Sequence, residues 1–500
     1  MKLIAEKIYQ KLKNSEIDRN SAINLLIHVL ENSEKVEQRL ECLKIIELIN
    51  ESNEELFNML ENILISDSNA KIKINTARTM KKLFKSKVNG PLMWAISNEK
   101  SINCLISFIS ILSDSDDYDV KEFLMKKFIQ IRNKKYKYNL KDLVNEQTIS
   151  EFSTQELGEL LINYYLISTL KLHFGYMMFK IDEQGTITEL DLSNLDIKGV
   201  GVDRISSTIN SILSLSFLKK LNLSNNQLKL LPENMEKSSS LEHLDLSFNQ
   251  ITRIPPSILN ISHLKILNLK SNNLKYLPKT LGNLKYLISL VLRDNYLRKL
   301  PNSIINLKKL KHLDLHHNKF NSFPIELKPL ESLEELDLGF NKINFLPEKY
   351  IESISLKKLN LGRNRIKEIP NELANLKNLE DLQLYDNQIS NLPDSLSALK
   401  HLRILNLRGN LLECVPECIQ DLNNIVELNL SWNKIRKIPD WIGFLENLET
   451  LNLWGNKLND IPKSLENMPN LKNLFLNFNK ISQSNKTLNN LKRKSINITL

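Results

Sequence analysis

The chain has 500 residues, 42 % of them apolar and 25 % charged, with a formal net charge of +10. That length exceeds one compact core and predicts several domains or a repeat array. The composition is that of a globular chain and excludes a disordered one, and no apolar run approaches the roughly 20 residues of a membrane span.

The opening Met1-Lys2-Leu3-Ile4-Ala5-Glu6-Lys7 meets charge too early for a signal peptide. Apolar spacing predicts amphipathic helices that include Ala22–Leu30, Leu40–Ile49 and Ala77–Phe84. Cys42, Ile45, Leu48 and Ile49 recur 35 residues later as Ala77, Met80, Leu83 and Phe84. This offset suits paired-helix repeats, and Asp67-Ser-Asn-Ala-Lys-Ile looks like the start of a HEAT-type helix; an irregular helical bundle accounts for the same pattern. Asn89-Gly90-Pro91 and Ser113–Asp119 read as loops. The run Tyr164–Phe179 is expected to pack on the coil that follows and shield its open edge. Residues 1–180 therefore read as an all-α domain.

From there the sequence repeats. Stepping by 23 from Asn226 meets Asn249, Asn272, Asn295, Asn318, Asn341, Asn364, Asn387, Asn410, Asn433, Asn456 and Asn479. A second walk, from Pro232 to Pro462, meets proline at every step. One unit reads Leu333-Glu-Glu-Leu336-Asp-Leu338-Gly-Phe-Asn341-Lys-Ile343-Asn-Phe-Leu346-Pro347. Leu336 and Leu338 alternate with polar residues, as in a strand with one buried face. A single coil cannot close a core, so neighbours must stack. The asparagine carries an acceptor and two donors, which suits a buried turn whose backbone groups need partners; the stacked set is expected to form a hydrogen-bonded ladder. Proline fixes φ and suits an extended or turning outer segment.

The first unit starts at Ile187 and has Leu195 at the ladder position, followed by a longer outer arc with a helix-like run over Ile205–Leu215. In the seventh unit Ser353 stands where leucine belongs, which points to a small local rearrangement. Ser484 and Asn485 replace the Leu-Pro pair in the last unit, and the tail after it is expected to cap the array.

The pattern L-x-x-L-x-L-x-x-N-x-L followed by x-x-L-P resembles the 23-residue leucine-rich repeats of intracellular Ras-group proteins and Scribble-type scaffolds, and similar arrays occur in bacteria and archaea. The resemblance covers about residues 187–481. It implies an α+β chain: a helical domain over 1–180, then a horseshoe solenoid over 181–500 with a parallel concave sheet, thirteen repeats and a cap over 482–500. It also implies protein binding, with a small Ras-like GTPase as one partner class.

The sequence offers little chemistry. None of the twelve glycines falls in a phosphate-binding loop, and the eight histidines form no H-E-x-x-H. Cys414-x-x-x-Cys418 lacks a second ligand pair. His312, Asp314 and His316 share one strand face, but residues four apart in a strand lie ~13 Å apart, too far for one metal. No cofactor is expected. Cysteine is sparse and absent from both ends of the array, which favours a reducing, cytoplasmic setting.

Strand residues between the leucines form lanes across the concave face. The lane Asp314, Asp337, Asn360 is nearly all Asp, Asn or Gln, which suits the repeat itself as well as a ligand. The neighbouring lanes are irregular, and Arg293, His316, Arg363, Tyr385, Arg408, Trp432 and Trp454 are read there as exposed anchors for a partner protein. The opposing reading is that they stack on one another along the solenoid. A further lane, Lys319, Lys342, Arg365, Lys434, Lys457 and Lys480, is basic. Residues 1–180 hold 26 Lys and Arg against 24 Asp and Glu, and the rest 42 against 34. This excess suits an acidic protein partner and falls short of the dense runs of a nucleic-acid binder. The chain thus reads as a non-enzymatic scaffold or regulator; nucleic-acid binding through the basic lane and a regulatory subunit of an enzyme are the alternatives.

Overall fold

A computed structural model describes residues 4–133, 149–174, 178–182, 186–195, 212, 217–231, 240–327, 330–348, 355–482, 485–494 and 496–500. Ser353 and nearly all of Ile205–Leu215 lie outside the described residues. The chain divides into two compact units, Met1–Asp191 with Gly201–Leu218, and Leu192–Val200 with Lys219–Leu500.

Among the described residues the first unit holds nine α-helices: α1 (Ile4–Lys13), α2 (Arg19–Asn32), α3 (Val36–Ile49), α4 (Glu54–Ser66), α5 (Ala70–Phe84), α6 (Asn89–Asn98), α7 (Ile102–Ser113), α8 (Tyr118–Asn133) and α9 (Thr154–Phe174). Their starts are written in the sequence. Asp18, Asn53 and Asn69 each accept hydrogen bonds from backbone N–H groups of the first turn of α2, α4 and α5, satisfying donors that the helix cannot. Asn89-Gly90-Pro91, expected as a loop, is instead the first turn of α6. Proline is tolerated there because its missing N–H would have no partner in any case. Helix α9 packs on α7 and α8. At Gly158 a Cβ would lie 2.4 Å from that of Ser113, so only glycine permits this approach of α9 to α7. Strand β1 (Met178–Ile181), which begins inside the run Tyr164–Phe179, pairs antiparallel with β2 (Ile187–Asp191).

The second unit is a solenoid of short strands, one per coil. They are β3 (Lys220–Asn222), β4 (His243–Asp245), β5 (Ile266–Asn268), β6 (Ser289–Val291), β7 (His312–Asp314), β8 (Glu335–Asp337), β9 (Lys358–Asn360), β10 (Asp381–Gln383), β11 (Ile404–Asn406), β12 (Glu427–Asn429), β13 (Thr450–Asn452), β14 (Asn473–Phe475) and β15 (Asn497–Thr499). From β3 to β15 neighbours pair in chain order and all in parallel. The register sets like on like: Leu313 faces Leu336 and Leu336 faces Leu359. Each coil buries its leucines fully, as Leu333, Leu336, Leu338, Ile343 and Leu346 do, and each such side chain contributes about 1.5–3 kcal/mol. Phe320 and Phe323 fill the corresponding positions of one coil with larger rings. Pro255, Pro301, Pro370, Pro393, Pro416, Pro439 and Pro462 hold φ between −60° and −74°, and each precedes a short 3-10 turn on the outer arc. Reversal by a 3-10 turn keeps the arc compact. The tail forms α10 (Lys486–Lys492), which buries Leu488 and Leu491, and then adds β15 beside β14.

Candidate functional site

The concave face is built on backbone bonds made by its own side chains. Asn341 Nδ2 donates to the carbonyls of Leu315, Leu338 and Gly339, and its Oδ1 accepts from Phe320 N–H. Asn249, Asn272, Asn295, Asn318, Asn364, Asn387, Asn410, Asn433 and Asn456 repeat this geometry between coils, all with 8 % exposure or less. Asn226 serves Leu195 N–H at one end of the run and Asn479 serves Leu458 N–H at the other. The Asp/Asn lane beside it is also committed to the backbone. Asp245, Asn268, Asp314, Asp337, Asn360, Asn406, Asn429 and Asn452 each accept from the N–H two residues on, at 2.8 to 3.1 Å.

Between these two positions lies a feature that the sequence did not announce. The residue before each ladder position takes a left-handed backbone: Asn194, Asn225, Phe248, Ser271, Asp294, His317, Phe340, Arg363, Asp386, Gly409, Trp432, Gly455 and Phe478, with φ from 51° to 69°. Glycine adopts this region freely and a bulky residue does not. Gly409 and Gly455, with Asn194, Asn225, Asp294 and Asp386, are of the types that enter this region most readily; the remaining positions give no sign of it.

Two side-chain groups stand on this frame. In the middle coils, Arg363 and Arg408 share the carboxylate of Asp386, each at 3.2 Å. Arg363 also lies over the Phe340 ring at 4.7 Å, which the His316 and His317 rings also touch. His317 Nδ1 is 2.7 Å from Asp294, which is near Arg293. Tyr385 lies flat across Gly362, where a Cβ would meet its ring at 2.3 Å. These coils line a shallow groove of about 490 Å³ whose walls include Asp314, Glu335, Asp337, Lys358, Asp381 and Tyr385. Burial pushes the Asp314 and Asp381 carboxyls above the usual range. Burial acts on Asp337 in the same sense, but hydrogen bonds from the His316 ring and Gly339 N–H outweigh it and hold that carboxyl low. In the last coils, Trp432, Trp454 and Phe478 form one cluster with ring centroids 5.9 to 6.3 Å apart.

Three leucine-rich-repeat profiles match the chain: "Leucine-rich repeat region" over 257–348, "Leucine rich repeat" over 331–389, 354–412 and 386–435, and "Leucine Rich Repeat" over 217–238, 240–261 and 447–468. The chain is a leucine-rich-repeat protein. Among solved structures it is similar to a leucine-rich-repeat protein of Leptospira interrogans, at 32 % identity over 62 % of this chain and 95 % of that one, TM-score 0.48. An internalin of Listeria monocytogenes shares the fold at 23 % identity, over 68 % of this chain and 94 % of that one, TM-score 0.54. Toll of Drosophila, solved as its complex with Spätzle, aligns at 26 % identity over 58 % of this chain and 41 % of that one, TM-score 0.51. No curated protein sequence matches it.

Within the leucine-rich-repeat array, the residues read as anchors separate into two kinds. Arg293, Arg363, Tyr385, Arg408, Trp432 and Trp454 retain accessible surface. His316 does not: it is 8 % exposed, lies over Gly339 and bonds Asp337 at 3.1 Å. The glycine one coil on leaves room for the imidazole to fold down, which a reading of one strand at a time misses. Phe340 and Phe478, which the anchor set omitted, are exposed partners of its members. Cys414 is exposed and Cys418 buried, its thiol pushed up to about 12 by burial; among the described residues no cluster of His, Cys, Asp and Glu could hold a metal. No described helix is long and apolar enough to cross a membrane.

Proposed function

We propose that this protein is a non-enzymatic scaffold or regulator whose concave face binds a partner protein. The observation that carries this reading is strain without burial. A left-handed backbone costs a non-glycine residue about 1–2 kcal/mol, yet Phe340, Arg363, Trp432 and Phe478 occupy that lane and stay exposed. Gly409 and Gly455 hold the same backbone at no such cost. Strained residues of this kind cluster at ligand sites, where the surrounding structure imposes them. Aromatic rings and arginines are also the side chains that anchor protein interfaces. They stack on one another, as the opposing reading has it, and this makes them a preorganised surface rather than a buried one. Thirteen strands at ~4.8 Å give a face roughly 60 Å long, which suits a folded protein or an extended peptide better than a metabolite. A cytoplasmic setting accords with four free cysteines, three of them buried. A Ras-like GTPase as the partner rests on the sequence resemblance alone.

The test is affinity capture from the native organism with the full chain, then with a chain carrying Tyr385→Ala, Trp432→Ala and Trp454→Ala. Capture of the retained protein should fall while the melting curve stays in place. Undiminished capture by the triple variant refutes the assignment of this surface.

A further inference from the structure

The two edges of the sheet differ in how their charges are used. At the strand starts, lysines are paired with acids of the neighbouring coil: Lys265 with Glu242, Lys358 with Glu335 and Lys472 with Glu449, at 2.8 Å each. At the opposite edge, Lys434, Lys457 and Lys480 are exposed, and among the described residues none has an ion-pair or hydrogen-bond partner for its ammonium group. The floor differs too. The middle coils carry Asp314, Asp337 and Asp381, whereas β12 to β14 present Asn429, Asn452 and Phe475 in the lane of Asp314 and Asp337, and Glu427, Thr450 and Asn473 in the lane of Asp381. The last three coils therefore combine a floor with one carboxylate, Glu427, and a row of cations with no ion-pair partner among the described residues.

The aromatic cluster stands on these same coils. Trp432 is 49 % exposed, Trp454 38 % and Phe478 73 %. Lys434 follows Trp432 by two residues and Lys480 follows Phe478 by two, a backbone reach of at most about 7 Å. Gly455 keeps the cluster flat, because a Cβ there would press on the Trp432 indole at 3.0 Å.

We infer that the last three coils dock an acidic segment of the partner that carries its own apolar or aromatic side chain. This rests on the concave-face reading above and gives that partner a chemistry. The rings offer an apolar ridge for the anchor. The unpaired lysines attract carboxylates with no existing pair to break. Single-stranded nucleic acid would also be drawn to cations beside aromatics. Three lysines fall short of the continuous cationic groove that tracks a nucleic-acid backbone, whereas they suffice for a short acidic segment.

The experiment uses the full chain as bait for a displayed library of unstructured peptides in which acidic, basic and aromatic residues are equally represented. Enriched peptides should carry excess Asp and Glu around Trp, Phe or Leu. A synthesised winner should bind about tenfold more weakly, or ~1.4 kcal/mol, to chains with Trp432→Ser and Phe478→Ser, or with Lys434→Glu, Lys457→Glu and Lys480→Glu. Its affinity should fall with added salt while the variants keep their melting temperatures. Enrichment of basic or uncharged peptides, or of none, overturns the inference. So does oligo-dT binding more tightly than the winner with the same variant sensitivity, which assigns the edge to nucleic acid. Peptides sensitive to Tyr385→Ala and Arg408→Ala but not to the edge variants leave the concave-face reading standing and remove this one. Peptides indifferent to both sets remove both.

Discussion

The buried side chain of Asn341 shares its two N–H donors among three carbonyls and accepts one hydrogen bond, and so ties together two coils. Replacing it by alanine leaves Phe320 N–H and three carbonyls without that partner in a place water does not reach. Asn341→Ala should destabilise the array by about 1–3 kcal/mol, read as a lowered midpoint in urea unfolding; an unchanged midpoint contradicts the ladder. This geometry was legible in the sequence, because asparagine at every step from Asn226 to Asn479 is a residue with both the donors and the acceptor that a buried turn needs. The left-handed lane one residue earlier was not. Its requirement falls on the backbone, and Phe248, Ser271, Arg363 and Trp432 meet it alongside Asn225, Asp294 and Gly409, so no single residue type marks the lane. His316 was misplaced for a related reason: its burial depends on Gly339 in the next coil, not on its own strand.

At the scale of elements, the strands are too short to hold themselves and are joined by charge as well as by leucine. Glu334 accepts from Lys311 at 2.7 Å and from Lys357 at 2.9 Å, linking the starts of three successive strands. These two lysines hold its carboxyl down from the usual 4.5 to about 2. A carboxylate lowered on folding stabilises the folded state above its unfolded value, and that stabilisation disappears as pH falls through the folded value. Glu334→Gln should therefore lower the melting temperature at neutral pH, and the gap from the unaltered chain should close between about pH 4.5 and 2. A gap independent of pH contradicts the double pairing. Helix existence was legible from apolar period, and the starts of α2, α4 and α5 were marked by Asp18, Asn53 and Asn69. The start of α6 was hidden because Asn-Gly-Pro, a strong turn signal, also fits a first helical turn. The tail was expected as a cap; its buried Leu488 and Leu491 and the added β15 give that region a core of its own.

For the whole molecule, a periodic frame carries an aperiodic surface. The 23-residue step made the coil readable from Asn226 to Asn479, since nearly every interior position repeats. The concave face follows no period, and its groove, its arginine pair on Asp386 and its ring cluster arise from contacts between coils that a single chain segment does not display. We propose that this face, from the groove to the last coils, meets the partner. Hydroxyl-radical footprinting of the full chain, alone and with the captured partner, tests it directly. Tyr385, Trp432, Trp454 and Phe478 should be protected, while Phe444, exposed in a 3-10 turn of the outer arc, should react equally in both states. Protection of Phe444 with the four concave-face rings left reactive would contradict the account.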